Sequence, residues 1–366
     1  MYDVIIIGAG PAGATLARLL GSTRSVLLVD GGNVRSGSPA GSAEGKCCGG
    51  LLAPDARALL DRFGLALPDH VLDSRQPLTV RALDLASGIA RLYPRRYVNM
   101  NRTAFDRWLL SLVPDGVAVA GGRLTAATRL AGPAGWEVRL RGPDGDRVAQ
   151  SAMLVGADGA GSAVRRLLGI PPRLESRYIA VQDTFTADAE HGGEYLAFFH
   201  PAITDFYGWV IPKRGATLLG VAFPPPGRLA APIPQRMRDA RQALERFGCT
   251  FPETGVRRGC VVLRPSYRDI WLGGDGVFCV GEAAGLISPS SAEGISYAFA
   301  SAAALARALE VHAAAGPVLR AYRRGTLALR LGIAAKNAKS FVMYTPALRR
   351  AVMRSGVLAE GALERF

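Results

Sequence analysis

Three glycines near the start of the chain, Gly8, Gly10 and Gly13, have the spacing of a dinucleotide-binding turn. In such a turn the first glycine allows the sharp bend, the second lets backbone approach a pyrophosphate, and the third lets the helix pack closely on the strand. The helix that follows would direct free N–H groups and the positive end of its dipole at the phosphates. Asp30 stands where an acidic side chain would meet the ribose hydroxyls of an adenosine. Together these residues predict a bound dinucleotide.

The elements that flank these glycines support the prediction. Apolar runs over residues 2–7 and 25–29 predict strands, and residues 11–20 predict the helix between them. Further buried strands are predicted at 152–155 and 277–280, each running into a glycine-rich turn. Because parallel strands end at the same edge of a sheet, several ligand-contacting turns are expected along that edge.

The rest of the chain predicts a second sheet and a helical end. Blocks around residues 78–94 and 176–223 have β patterns, and the tail carries Arg and Lys at helical spacing. The predicted fold class is α/β, a Rossmann-like dinucleotide-binding domain with an inserted antiparallel β-sheet substrate domain and C-terminal helices. The expected boundaries are residues 1–75, 97–175 and 256–315 for the first domain, 76–96 and 176–255 for the second, and 316–366 for the helical segment. A glycine- and serine-rich loop over the dinucleotide site is predicted from Gly31 to Lys46.

The composition is that of a strongly basic globular protein. Hydrophobic residues make up 49% of the chain and charged residues 20%, and the formal net charge is +14. Most of this charge is ascribed to a general preference for arginine; the alternative is attraction to an anionic partner. No recognised motif supports nucleic-acid binding, so none is expected. The basic tail could lie on an anionic membrane surface, although a solvated helix face is the preferred interpretation.

The cysteines predict neither a disulfide framework nor a zinc site, because the five are few, scattered and without a matching histidine pattern. No metal is therefore expected. The chain opens on the first strand without a signal-peptide pattern, and no apolar run reaches the ~18 residues needed to cross a bilayer. A cytoplasmic location is expected, with peripheral contact with the membrane left open.

Three glycine motifs in this order resemble those of FAD-dependent oxidoreductases of the p-hydroxybenzoate hydroxylase fold. They are Gly8-x-Gly10-x-x-Gly13, Gly156-Ala157-Asp158-Gly159 and Gly281-Glu282-Ala283-Ala284-Gly285. Three further stretches resemble the geranylgeranyl reductase family within that superfamily, namely Cys48-Gly49-Gly50, Tyr207-x-Trp209-x-Ile211-Pro212-Lys213 and Pro289 to Ile295. The surroundings of Cys48 and residues 345–350 are most similar to its small bacterial branch. The resemblance implies that FAD is the cofactor.

The resemblance also implies which residues hold FAD. Asp158 would line the pyrophosphate, Glu282 would reach a ribityl hydroxyl where the family usually carries Asp, and Gly294 would begin a helix whose N–H groups face the flavin pyrimidine. Arg102 matches an FAD-contacting arginine of the family; the alternative is an ordinary surface arginine. The full predicted cofactor-binding set is Gly8, Gly10, Pro11, Ala12, Gly13, Asp30, Gly31, Cys48, Gly49, Arg102, Leu124, Asp158, Gly159, Gly281, Glu282, Gly285, Pro289, Glu293, Gly294 and Ile295.

Cys48, Tyr207 and Trp209 are the predicted catalytic residues. Before two glycines, the Cys48 sulfur could approach a flat ring as a proton donor or as a shaping residue; the alternative is a small buried filler. Tyr207 and Trp209 are two apart on a strand and share a face, where they would wall an apolar pocket beside the flavin or serve as ordinary core. Tyr207 stands where related flavin halogenases carry Trp, which argues against halogenation. Cys47 has no family counterpart and is interpreted as a bystander.

The function implied by the resemblance is reduction of a carbon–carbon double bond in an isoprenoid-like apolar small molecule. Reduced flavin would deliver the hydride, and an acid or water would protonate the neighbouring carbon. No second glycine motif indicates a nicotinamide domain, so NAD(P)H would visit transiently or another electron carrier would supply the electrons. Two alternatives stay open: an FAD-dependent monooxygenase or epoxidase, and a non-catalytic FAD-binding redox protein that uses Cys47 and Cys48.

Overall fold

The structure of this protein is a computed structural model that describes most of the chain. The described residues are 1–31, 47–73, 76, 78–131, 135–142, 145–186, 194–225, 227–228 and 231–365. Apart from Gly31, the loop predicted from Gly31 to Lys46 lies outside these residues.

The described strands and helices fall into blocks along the chain, with runs of consecutive strands and four consecutive helices before the last strand. The strands are β1 (Tyr2–Ile7), β2 (Val26–Asp30), β3 (Leu51–Leu52), β4 (Leu78–Asp84), β5 (Ile89–Asn99), β6 (Ala118–Gly121), β7 (Arg123–Arg129), β8 (Trp136–Gly142), β9 (Gly145–Gly156), β10 (Arg177–Phe185), β11 (Tyr195–Phe199), β12 (Gly208–Lys213), β13 (Ala216–Phe223), β14 (Val256–Leu263), β15 (Gly273–Gly274), β16 (Val277–Cys279) and β17 (Glu360–Arg365). The helices are α1 (Pro11–Leu20), α2 (Pro54–Arg62), α3 (Arg102–Ser111), α4 (Ala163–Leu167), α5 (Ile233–Glu245), α6 (Ile295–Val311), α7 (Ala315–Gly325), α8 (Leu327–Tyr344) and α9 (Pro346–Ser355).

The first sheet has the predicted parallel centre. Its order is β15-β16-β9-β1-β2-β6, and β8 and β7 extend it from β9. Ile7 lies opposite both Val29 and Gly156, and Cys279 lies opposite Gly156, so four strands end at one edge. Helices α1 and α6 pack against each other and share one hydrophobic core with this sheet. The α/β class with a Rossmann-like domain is confirmed.

The second sheet has the order β14-β10-β13-β12-β11-β4-β5-β17, with β3 paired to β5. Along β12 and β13, alternate side chains point to opposite faces, as the strand period requires. Val210 and Leu219 pack with helix α5 on one face. Trp209, Ile211 and Leu218 belong to a separate cluster on the other face, which looks toward the first sheet's turns.

Three features of this sheet differ from the sequence predictions. First, β4 and β11 pair in parallel, so the sheet is mixed and not purely antiparallel. Parallel strands need a long crossover connection, and the stretch of chain between β4 and β11 is long enough to provide it. Second, Val256–Leu263 pairs with β10 and therefore belongs to this sheet rather than to the first domain. Third, residues 360–365 form a strand on β5, whereas the tail was predicted to be helical. All three depend on pairing between distant segments.

The C-terminal helices are fastened to both sheets. The hydroxyl of Tyr322 in α7 donates to the Cys279 carbonyl of β16 at 2.8 Å. In α9, buried Arg349 forms an ion pair with buried Asp84 at the end of β4, with Nε 2.9 Å from Oδ2. Of the helices in the described ranges, none is long and apolar enough to span a bilayer.

Candidate cofactor and substrate site

A cavity of about 680 Å³ lies where the carboxyl edge of the first sheet meets the inner face of the second. This volume is in the usual range for small-molecule and cofactor sites, roughly 300–1,000 Å³. Its walls include the turn after β1, Asp30 at the end of β2, the turn after β9, and aromatic side chains near β12. The topology therefore brings the predicted turns together at a single site.

In the turn after β1, Gly8 and Gly13 have no room for a side chain, whereas Gly10 faces open space where a ligand would lie. A Cβ on Gly8 would be 2.5 Å from the Ala157 carbonyl oxygen, and one on Gly13 would be 1.8 Å from the Gly8 oxygen. Gly8 also has φ +108°, a conformation that L residues rarely adopt. At Gly10, by contrast, an added Cβ would have no neighbour within 4 Å among the described atoms. The backbone at Gly10 is thus open to the cavity, as close approach of a pyrophosphate requires.

Asp158 supplies an acceptor that the described residues leave unused. Its Oδ2 accepts from the backbone N–H groups of Ala163 at 2.7 Å and Val164 at 3.2 Å. Its Oδ1 is buried and has no hydrogen-bond partner among the described residues. Burial raises the pKa of this carboxyl. A buried polar atom without a partner beside a cavity suits a donor group on a ligand, so this position fits a dinucleotide.

Arg102 connects α3 to the Cys48 turn. Its Nε donates to Asp106 Oδ1 at 2.8 Å, and its Nη1 donates to Cys48 Sγ at 3.4 Å. Burial lowers the pKa of Arg102, but Asp106 and Cys48 oppose this, and the net shift is upward. The guanidinium therefore stays charged on the cavity wall. The side chain is largely buried, unlike an ordinary surface arginine, and its contact with FAD stays a prediction.

Lys213 bonds the turn that runs from Cys48 to Gly50, in which Gly50 has a left-handed conformation. Gly50 has φ +63°, and a Cβ there would lie 2.3 Å from the Met100 carbonyl oxygen. Lys213 Nζ donates to that oxygen at 3.0 Å and to the Gly50 carbonyl at 3.3 Å. Burial lowers the pKa of Lys213 to about 8, with nearby Asp73 opposing the shift. The second sheet thus fixes the backbone that carries Cys48.

The segment before α6 places Glu293 on the cavity wall. Arg95 Nη2 lies 2.8 Å from Glu293 Oε2, and the Tyr97 hydroxyl donates to the other carboxylate oxygen. Ala292 has φ +50°, which is strained for a residue with a side chain. Gly294 is the N-cap of α6, and its carbonyl accepts from the Ala298 N–H. The helix N-terminus and a fixed carboxylate therefore lie on the same side of the cavity.

Glu282 serves the fold as well as the cavity. Its Oε1 accepts from the backbone N–H of Leu263 at 2.9 Å, which ties the turn after β16 to the end of β14. The side chain also lines the cavity. The predicted contact with a ribityl hydroxyl stays a prediction, and the carboxylate that would make it is positioned by the second sheet.

Tyr207 and Trp209 present flat rings to the cavity with their polar ends bonded inside the protein. The Tyr207 hydroxyl donates to the Ser291 carbonyl at 2.6 Å, and Trp209 Nε1 donates to Gln182 Oε1 at 3.3 Å. Their ring centroids are 5.6 Å apart. The indole lies over Gly220, where a Cβ would be 2.1 Å from the ring. The ring faces of Tyr207 and Trp209 therefore present an apolar surface to a ligand. The prediction that both side chains share a face is confirmed.

Most of the predicted site residues line this cavity, and four do not. Those on the wall are Gly8, Gly10, Pro11, Ala12, Asp30, Gly31, Cys48, Gly49, Arg102, Leu124, Asp158, Gly159, Tyr207, Trp209, Glu282, Glu293, Gly294 and Ile295. Those away from it are Gly13, Gly281, Gly285 and Pro289. At least two of these four have packing reasons. Gly13 abuts Gly8, and a Cβ on Gly285 would lie 2.7 Å from the Asp269 carbonyl oxygen.

Several cavity residues were not predicted from the sequence. Asp106 could have been found, since it stands four residues after Arg102 on a helix, the usual spacing of an ion pair. Tyr195 and Cys260 gave no such signal, because their strands reach the cavity only through pairing with distant segments. Cys260 Sγ donates to the Cys47 carbonyl at 3.3 Å, so Cys47 lies against the second sheet and on the cavity wall.

We call the turn with Gly8, Gly10 and Gly13 the glycine cradle. The fold and this cradle define a dinucleotide-binding protein of the Rossmann type. Residues 1–324 match the model of the FAD binding domain family, and the chain belongs to that family. It is 39% identical to Protein CbrA of Escherichia coli O6:H1 over 357 residues, which is 97% of this chain and 94% of that protein. Its cofactor is FAD, and it is an FAD-dependent oxidoreductase. The predicted membership of this flavoprotein superfamily is confirmed.

Two solved structures share the fold at low sequence identity. A geranylgeranyl bacteriochlorophyll reductase-like protein from Thermoplasma acidophilum superposes with a TM-score of 0.74 at 15% identity, covering 96% of this chain and 98% of that one. The p-nitrophenol 4-monooxygenase PnpA from Pseudomonas putida DLL-E4 superposes with a TM-score of 0.67 at 18% identity, covering 99% of both chains. These likenesses establish the architecture and leave the substrate to be inferred from the site.

Proposed function

We propose that this protein reduces a carbon–carbon double bond of an isoprenoid-like apolar substrate. The observation that carries the proposal is the aromatic wall opposite the glycine cradle. Tyr207 and Trp209 have their polar atoms bonded to Ser291 and Gln182, so they offer a hydrocarbon only ring faces. Next to them on the same face, Ile211 adds an aliphatic surface. These three side chains therefore present apolar surface to a substrate.

The residues of this chain would position the substrate and supply a proton. Bound FAD provides hydride chemistry, with NAD(P)H or another electron carrier as the source of electrons. We assign the proton to Cys48, which lines the cavity and whose sulfur accepts from Arg102 Nη1 and from the Gly50 N–H. Gly49, the residue after Cys48, packs beside Ile211, where an added Cβ would lie 2.5 Å from Ile211 Cδ1, so the Cys48 turn borders the apolar surface that would hold the substrate. The aromatic wall would exclude water from the reacting carbons.

The test is anaerobic turnover by the purified holoprotein. Chemically reduced protein is mixed with a panel of polyprenols, and the product masses are measured by mass spectrometry. A gain of two hydrogens is expected. If a product instead gains one oxygen atom when air is admitted, the protein is a monooxygenase. Conversion in neither condition, with a flavin that no donor reduces, would indicate a non-catalytic FAD-binding protein.

The neighbouring thiol provides the matched control for Cys48. We expect Cys48→Ser to retain FAD but to lower turnover sharply, because a hydroxyl is a much weaker acid than a thiol. Cys47→Ser should leave turnover close to the starting value, since the Cys47 thiol interacts with the Ala180 carbonyl and with Cys260. Equal turnover in the two variants would remove Cys48 from the proposal.

A further inference from the structure

The basic charge of this protein is concentrated in one segment that contains no acid. Residues 311–359 carry nine Lys or Arg and not a single Asp or Glu. Since the whole chain has 44 basic and 30 acidic residues, the remainder has 35 basic and 30 acidic, a net charge of only +5. A general preference for arginine would raise the count everywhere and would not remove the acids from one segment. The basic residues are Arg320, Arg323, Arg324, Arg330, Lys336, Lys339, Arg349, Arg350 and Arg354.

The same segment exposes large apolar side chains at helical spacing. On α8, Leu327, Leu331 and Phe341 are 50%, 60% and 69% exposed. Exposed Ala334 and Ala338 stand between them, which gives steps of four, three, four and three residues. Such steps place all five side chains on one stripe of a helix. Exposed apolar side chains continue on α9 and in the turn that follows it, at Leu348, Val352, Val357 and Leu358.

We propose that this C-terminal face, formed by the exposed apolar and basic residues of α8, α9 and the following turn, docks on an anionic lipid bilayer. An apolar stripe flanked by Arg and Lys is the pattern of helices that lie in the membrane interface, with the apolar side chains among the acyl chains and the cations at the phosphates. Charge complementarity selects this occupant. A second copy of the chain would bring the same acid-free face against itself, and like charges would oppose the contact.

The position of this face relative to the cavity is consistent with that orientation. At the end of α8, Met343 and Tyr344 pack against the cluster that contains Tyr207 and Trp209. The Tyr344 hydroxyl donates to the Ser290 carbonyl at 2.7 Å, in the segment before Glu293. Docking through α8 would therefore hold the substrate side of the cavity close to the lipid. The docking itself does not depend on which reaction the cavity performs.

Vesicle flotation of the holoprotein tests the proposal. We expect the protein to float with vesicles that contain phosphatidylglycerol, to stay behind with pure phosphatidylcholine, and to detach as salt is raised. Two double variants address the two parts of the face. Leu331→Ser with Phe341→Ser should abolish flotation because it removes the apolar side chains that would enter the bilayer. Arg350→Glu with Arg354→Glu should abolish flotation because it reverses the charge that attracts the face to anionic lipid. These side chains are exposed, so FAD content should not change.

Matched controls lie elsewhere on the surface. Val148→Ser removes an exposed apolar side chain from β9, and Arg57→Glu with Arg139→Glu reverses two exposed charges outside the C-terminal face. These controls should float like the unaltered protein. The proposal is overturned if the unaltered protein fails to bind anionic vesicles, or if the controls and the face variants lose binding equally. It is also overturned if Leu331→Ser with Phe341→Ser instead dissociates a dimer in sedimentation, because the face would then be a contact between copies.

Discussion

Replacing Gly50 by alanine should damage both stability and FAD binding, and a matched glycine makes the cause measurable. Gly50 has φ +63°, and an alanine in the left-handed region costs about 1–2 kcal/mol. Its Cβ would also lie 2.3 Å from the Met100 carbonyl oxygen and 2.6 Å from Lys213 Nζ. That oxygen is backbone and already accepts from Lys213, so it cannot simply move aside. We expect a total loss of about 2–4 kcal/mol in the free energy of unfolding.

Gly64 is the control for this experiment. It has φ +68°, almost the same backbone conformation, but an added Cβ would meet no described atom within 4 Å. Gly64→Ala should therefore cost only the conformational part, about 1–2 kcal/mol. Urea unfolding of the apoproteins gives the free energies, and flavin absorbance after gel filtration gives FAD retention. Gly50→Ala should lose FAD and Gly64→Ala should keep it. If the two variants lose equal stability and both retain FAD, Lys213 and Met100 do not fix the turn.

Three further predictions concern the aromatic wall, the buried lysine and the anchor of α9. Trp209→Phe loses the hydrogen bond to Gln182 and leaves space over the sheet. Turnover of an apolar substrate should therefore fall in a steady-state assay, while FAD binding is unchanged. Unaltered turnover would mean that the indole only packs in the core and does not contact the substrate. Burial lowers the pKa of Lys213 to about 8 from an ordinary 10.5. The unfolded chain therefore binds more protons between these values, so the Lys213 contribution to stability should rise as pH increases through this interval. Lys213→Met should remove that rise from unfolding curves recorded over pH 7–10.5. Asp84→Ala leaves the buried guanidinium of Arg349 without its partner, and calorimetry should show a loss of about 3–5 kcal/mol; replacing both residues together with apolar ones should cost less.

The sequence predicts the part of the site that is made by local backbone. Strand β1 was predicted with its observed bounds, and the turns after β1, β9 and β16 were predicted at one edge, because each is a short glycine motif after a buried strand. Helix α3 also begins at a local signal, because the Asn101 side chain accepts from the Ala104 N–H as an N-cap. Prediction stops where contacts depend on pairing between distant strands. The place of β14, the strand at 360–365 and the approach of Lys213 to Gly50 follow from the register of the second sheet, which no local pattern reveals.

This difference between local turns and long-range strand pairing explains why the sequence predicts the cofactor more readily than the substrate. One side of the cavity is built by glycines that expose backbone, and backbone presents the same N–H groups whatever the neighbouring side chains. The opposite side is built by the side chains of β12 and its neighbours, such as Trp209 and Ile211, which can change without disturbing the cradle. A reductase-like protein and a monooxygenase can therefore share this fold. It follows that exchanging residues on the aromatic wall should change which substrate is accepted, while FAD binding should respond to Gly10, Asp158 and Arg102.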